Sequence, residues 1–197
     1  MHSAGQIAGI RKAAQATAWV RERLAQELKP GMTTLDVDQL AAVLIAQTGG
    51  TSAFHNYRGF PGQICISVND EVVHGIGQAG RVIEPGDLVS VDVGVRLDGF
   101  IGDTATSVCA GLPPTGVVAE LMAVTQEGLQ AGVAAAVAGG YVGDIGAAVE
   151  TVVRDHGFSV VRDFVGHGCG CELHEPPEVP NFATLDRGAK LRPGMVL

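Results

Sequence analysis

The chain has 197 residues, 46% of them hydrophobic, and a formal net charge of -8. That length suits one domain with a sizeable core, built of two similar halves if it repeats, and the acidic balance argues against a nucleic-acid partner. No basic start followed by a long apolar run opens the chain, and the most apolar helical stretch, Gly132 to Gly139, is short of a bilayer span, so no secretory leader and no membrane contact are expected and the expected compartment is cytoplasmic.

Ser3 is placed to cap a helix over about 7–28, whose inner positions recur at helical spacing as Ile10, Ala14, Thr17, Val20 and Leu24. Lys29-Pro30-Gly31 stops it, and Thr33 or Thr34 opens a second helix with Leu35, Leu40, Val43 and Leu44 facing inward and Gly49-Gly50 at its end. Residues 51–61, TSAFHNYRGFP, read as an aromatic, glycine-rich loop leading to a strand over 63–68, with a second short strand at 72–74. Glu84-Pro85-Gly86 is a turn, and Asp98-Gly99 then centres a β-hairpin. A helix is expected over 117–138, another is capped by Asp144 and stopped by Gly157, and 159–165 reads as a strand before a Gly- and Pro-rich loop. Helices interleave with strands, yet the Asp-Gly turn demands antiparallel pairing, so the fold class is α+β. Ile83-Glu84-Pro85-Gly86-Asp87-Leu88-Val89 is echoed by Leu191-Arg192-Pro193-Gly194-Met195-Val196-Leu197, a turn leading into an apolar strand both times. The second copy reads as a repeat cut short.

The hairpin VDVGVRLDGFIGDTATS (91–107) keeps two aspartates among its alternating valines. With Asp98 and Gly99 as the central turn residues, Gly94 lies opposite Asp103 and Asp92 opposite Ala105, so the aspartates are diagonal neighbours on one face, roughly 7–8 Å apart at the backbone. Two like charges in a half-buried place repel and are poorly solvated; one divalent cation, or two about 3.5–4 Å apart, removes that penalty. The alternative is that both side chains turn to solvent. Of six histidines, His2 sits by a terminus and His156 at a helix end, both unremarkable placements, whereas His74, His167 and His174 lie in glycine-rich segments where backbone can approach a ligand. The four cysteines form no C-x-x-C pair and read as free thiols, with Cys109 a small buried hydrophobe. Gly75-Ile76-Gly77-Gln78-Ala79-Gly80 matches a dinucleotide fingerprint by chance, because Pro85 follows too soon for a helix.

NDEVVHGIG (69–77), the hairpin and GHGCGCELHEPPEVPNF (166–182), in this order and spacing, resemble a type I methionine aminopeptidase, and the similarity runs collinearly through the whole chain. The resemblance implies the pita-bread fold, two pseudo-symmetric α+β halves around an antiparallel sheet, with residues 1–197 forming a single catalytic domain whose second half is incomplete. It implies metal-dependent removal of the N-terminal methionine of nascent peptides, at the ribosome, by a water bridging two divalent ions (Co, Mn, Fe or Zn). Asp92 and Asp103 would be metal ligands, Asp103 bridging the two ions, with His167 binding the second. His74 and His174 would be catalytic and contact the substrate, and Tyr57, Phe60 and Cys65 would line the methionine pocket, where aromatic walls and sulfur suit a thioether. A monomer is expected. Two glutamate ligands of the family, one of them its general base, fall beyond Leu197, and Glu172, Glu175 and Glu178 are in the wrong motif to replace them, so the chain as written is expected to bind metal weakly and to be inactive or nearly so. The rivals are an Xaa-Pro-type aminopeptidase of the same fold, against which the methionine-pocket residues argue, and a non-enzymatic peptide-binding relative, against which the intact Asp and His set argues.

Overall fold

Two residues that tolerate left-handed backbone set the central hairpin. In the computed structural model, which describes residues 1–197, Asp98 has φ 52° and Gly99 φ 84°, the conformation a two-residue turn needs to match strand twist. Strands β3 (Leu88–Leu97) and β4 (Phe100–Cys109) run from it in the expected register, with Gly94 opposite Asp103 and Asp92 opposite Ala105. Exchanging Gly99 for Ala puts a Cβ on that left-handed position and is expected to destabilise the chain by about 1 kcal/mol in urea unfolding; an unchanged midpoint would mean the turn relaxes freely.

The chain divides into two compact units. One comprises Ala8–Pro114 with Gly170–Leu173. Along the other side of β3 run β1 (Thr51–Ser52) and β2 (Cys65–Val68), both antiparallel to it. Val89, Val91, Val93 and Val95 are fully buried and meet Val20 and Leu24 of helix α1 (Ala4–Glu27) and Val37, Ala41, Leu44 and Ile45 of α2 (Thr34–Gln47) in one apolar core. Thr33 caps α2: its hydroxyl accepts the Asp36 N–H at 3.1 Å while Asp36 accepts the Thr33 N–H at 2.8 Å. The inner faces differ in detail from the spacing. Ala13 rather than Ala14 is buried on α1, because Ala14 presents its backbone to Gly102, where a Cβ would lie 2.5 Å from the Ala14 Cα. On α2, Val43 is 56% exposed while Val37 and Ala41 are buried. Residues 72–74 form no strand: Val72 and Val73 are exposed and His74 takes φ 61°. Cys109, at the end of β4, is half-buried.

The other unit comprises Met1–Ile7, Thr115–Cys169 and His174–Leu197. Helices α3 (Gly116–Ala135) and α4 (Val142–Asp155) are followed by β5 (Gly166–Gly168) and β6 (Glu175–Val179), an antiparallel pair with a register shift after His167. Tyr141 rather than Asp144 is the N-cap of α4, and Asp144, the third residue of the helix, helps cap it by accepting the Tyr141 N–H at 2.9 Å. No strand covers 159–165, and the pairing begins at Gly166 instead. The segment read as a Pro-rich loop supplies β6, since prolines fit a sheet edge where their missing donor faces no partner. His2 is not frayed: its N–H donates to the Gly194 carbonyl at 2.7 Å and its largely buried ring lies 3.1 Å from Glu175 Oε2. No helix is long and apolar enough to cross a membrane.

The repeat seen in sequence continues in backbone bonding. In one unit Gly31 donates to Ile83 at 2.9 Å and Ile83 to Met32 at 2.8 Å; in the other Gly139 donates to Leu191 at 2.9 Å and Leu191 to Gly140 at 2.8 Å. Asp87 closes its turn on Glu84, and Met195 on Arg192, at 3.2 Å each, over glycines at φ 92° and 91°. Past the second turn Met195–Leu197 joins no ladder, unlike Leu88 and Val89 after the first.

Candidate metal centre

Strand alternation puts Asp92 and Asp103 on one face of the hairpin, both half-buried. They share a side-chain hydrogen bond, and burial lifts Asp103 to about 6 while that bond pulls the other way. Two carboxyl groups can hydrogen-bond only if one keeps a proton. The pair is therefore charge-frustrated: ionising both acids here is costly, and a cation in the proton's place would relieve that cost. Hard oxygen donors so arranged fit a divalent ion. On β3, opposite Asp103, Gly94 leaves room for the buried Phe54 ring, whose Cε1 would lie 2.4 Å from a Cβ at that position.

Cys65 is paired with Asp92 across β2 and β3 and is buried. Burial first, then the charges of Asp92, Asp103 and Asp38, push its thiol up to about 12. It stays a neutral sulfur at physiological pH, neither nucleophile nor thiolate ligand, which suits an apolar wall. The loop before it carries Tyr57 and Phe60, both half-buried: Tyr57 opens a single 3-10 turn (Tyr57–Gly59) and Phe60 follows it. The Asn56 N–H donates to the Phe60 carbonyl at 2.8 Å, and His55 Nδ1 lies 3.0 Å from the Pro61 carbonyl, so the loop is closed on itself.

His74 is exposed and left-handed. The next residue fixes its backbone: the Gly75 N–H donates to Ser67 Oγ at 3.2 Å and its carbonyl accepts the Ile66 N–H at 2.9 Å. A non-glycine residue held at positive φ is a strained conformation that its surroundings must impose.

In the other unit, His167 on β5 and the exposed His174 just before β6 have ring centroids 4.1 Å apart, tilted by 41°. His167 Nδ1 lies 3.0 Å from the Gly168 carbonyl. A carbonyl only accepts, so in the neutral ring Nδ1 carries the proton and Nε2 the lone pair, the tautomer a metal ligand needs.

The structure thus gathers Asp92, Asp103 and Cys65 on one sheet and His167 with His174 at one strand pair. Four residues near these positions carried no sequence signal that singled them out: Phe54, Ser52, Ser67 and Asp38. Only Asp38 left a trace, a carboxylate within the inner stripe of an apolar helix.

Residues 8–197 match the model of metallopeptidase family M24. Methionine aminopeptidase 1 of Bacillus subtilis is 40% identical over 95% of this chain and 75% of its own length, and methionine aminopeptidase of Clostridium acetobutylicum is 42% identical over 98% and 76%. The crystal structure of methionine aminopeptidase from Thermotoga maritima superposes with a TM-score of 0.92 at 36% identity, covering 98% of this chain and 77% of that one. Prolidase from Pyrococcus furiosus shares the fold, with a TM-score of 0.85 at 22% identity over 99% of this chain and 55% of that one. The α+β architecture is that of these pita-bread relatives, and the chain spans about three quarters of the length of the curated relatives it matches. A hydrolase lineage that uses divalent metal, carried through nearly every residue of this sequence, leaves one assignment: the chain belongs to metallopeptidase family M24, among the type I-like methionine aminopeptidases.

Proposed function

We propose that the protein removes the N-terminal methionine from nascent polypeptides, using two divalent ions of the Co, Mn, Fe or Zn kind. The observation that supports this reading is the half-buried Asp92–Asp103 pair, two hydrogen-bonded carboxyl groups on one face of the hairpin, whose repulsion on ionising a cation would relieve. Asp92 and Asp103 would hold the ions through their carboxylates, Asp103 as the ligand they share, and His167 would hold one through Nε2. Bound metal lowers the pKa of a water and polarises the scissile carbonyl. Tyr57, Phe60 and Cys65 take up the methionine side chain. His74 holds or moves the proton at the scissile amide, and His174 holds the peptide carbonyl. Residues 1–197 belong to one catalytic domain; the family match running through both units supports this. The protein works as a cytoplasmic monomer on chains leaving the ribosome. None of the four cysteines is in a disulfide, which suits a reducing compartment.

A polypeptide of these 197 residues alone holds three of the five ligands implied by the resemblance. It is expected to bind Mn2+ or Co2+ weakly in calorimetric titration and to release no measurable methionine from a Met-Ala-Ser peptide. Metal-dependent release by that polypeptide would overturn the inactivity, and a chain with no divalent affinity at all at neutral pH would count against the metal assignment.

A further inference from the structure

We propose that Asp38 is a positioning residue that holds the Ala53–Gln63 loop and the start of β2, and through them Tyr57, Phe60 and Cys65, in the shape of a side-chain pocket; this rests on the reading of those three residues as the methionine pocket. Asp38 lies on the buried side of α2 and is only 9% exposed. Acidic side chains are rarely that buried without partners. Its Oδ1 takes two consecutive backbone donors, the Gln63 N–H at 2.7 Å and the Ile64 N–H at 3.1 Å. Neither peptide belongs to a strand ladder, which starts only at Cys65. Without Asp38 both donors would face a half-buried or buried place with nothing to bond.

The same peptide is held from its other end. The Gln63 carbonyl accepts the Ser52 hydroxyl at 2.6 Å, and that Ser52 Oγ accepts the Phe54 and His55 N–H groups at 3.0 Å each. Ser52 and Asp38 therefore fix both mouths of the loop that carries the two aromatic residues. Two glycines let the carboxylate in: a Cβ at Gly62 would sit 3.2 Å from Asp38 Oδ1, and one at Gly77 2.9 Å from the Asp38 Cβ. Gly77 belongs to the segment that follows His74, so three site-bearing stretches meet at this side chain.

The test compares Asp38→Ala with Asp38→Asn in the full 197-residue chain. Asn keeps a carbonyl oxygen for the two donors; Ala does not. Amide exchange followed by NMR should show Gln63 and Ile64 exchanging about 10–100-fold faster in D38A, with Val91 and Val93 of the core unchanged, and D38N within about threefold of wild type. A chemical-shift titration with L-methionine should show affinity at least about tenfold weaker in D38A and near wild type in D38N. If D38A exchanges like wild type at those two amides, or if D38N is as impaired as D38A, the positioning role is overturned. If the exchange pattern holds but no variant, wild type included, binds L-methionine, Asp38 does position the loop and it is the methionine pocket that fails. If D38A does not fold, the comparison of D38N with wild type still decides, because the retained oxygen must keep both amides protected.

Discussion

If Asp103 holds metal as proposed, Asp103→Asn is expected to remove divalent-metal binding and, in the metal-free chain, to raise stability above pH 6. Both effects come from one carboxylate. Removing groups that merely support a metal ligand costs about 10–100-fold in affinity, so removing a direct ligand costs at least about 100-fold, read as the loss of Mn2+ or Co2+ heat in calorimetry. The pH effect has a definite sign. Burial raises Asp103 in the folded chain from an ordinary 3.8 to about 6. A raised acid favours the folded state while protonated, so its contribution is complete below about pH 4 and is lost as pH rises through 6. Without metal, wild-type stability should decline across that window, by a few kcal/mol at most, and D103N should remove the decline. Metal must displace the same proton, so wild-type affinity should fall about tenfold for each unit below pH 6. Unfolding curves at pH 4, 5, 6 and 7 with chelator present check the first claim, and titration over the same range checks the second. A wild-type chain whose metal-free stability is flat from pH 4 to 7 would sink the picture of a frustrated acid pair. The broader consequence is that the buried acid lowers the stability of the empty chain, and bound metal offsets that.

Gly75→Ala is expected to be the most damaging single methyl addition near the site, with a loss of about 3 kcal/mol in urea unfolding. The added Cβ would lie 2.0 Å from the Ile66 carbonyl oxygen and 2.7 Å from its carbon. Those atoms belong to β2, whose Ile66 side chain is 1% exposed in the core, so the strand cannot give way without opening the core. The 73–77 segment must lift instead, breaking the bonds of Gly75 to Ser67 and of Ile66 to Gly75 and releasing His74 from its left-handed backbone. The local effect is separable from the global one. The His74 ring resonances should shift and broaden even where far-ultraviolet circular dichroism at low temperature is native. A G75A chain with an unchanged unfolding midpoint would show that the segment is held less tightly than its packing implies.

Particular residues show where sequence reading succeeds. Asp98-Gly99 and the valine alternation are local signals, and together they give the hairpin register and hence the diagonal of Asp92 and Asp103. The Pro-Gly echo was legible because a proline followed by a left-handed glycine dictates a turn wherever it occurs. Helix ends were legible where a capping box or a stop sequence stood, as at Thr33. Periodicity was less exact: Val43 sits at a plausible spacing on α2, yet only packing decided that Val37 and Ala41 face the sheet.

Other features depend on partners far along the chain. Glu175-Pro176-Pro177-Glu178-Val179 carries strong loop residues, and it pairs as a strand only because β5 offers an edge that asks little of the prolines. His2 looked like a loose terminal residue until Gly194 and Glu175 held it. Asp38 showed only as a carboxylate on the inner stripe of an apolar helix, with nothing to say what it bonds. Thus the four helices, the central hairpin, the antiparallel class, the two aspartates on one face and the resemblance to a metallopeptidase are properties of the sequence itself, because turns, caps and alternation act over a few residues. The partial burial of those aspartates, the neutral thiol of Cys65, the left-handed His74 and the hydrogen bonds from Gln63 and Ile64 to Asp38 were decided only in tertiary structure, because desolvation and hydrogen bonding depend on which distant groups arrive alongside.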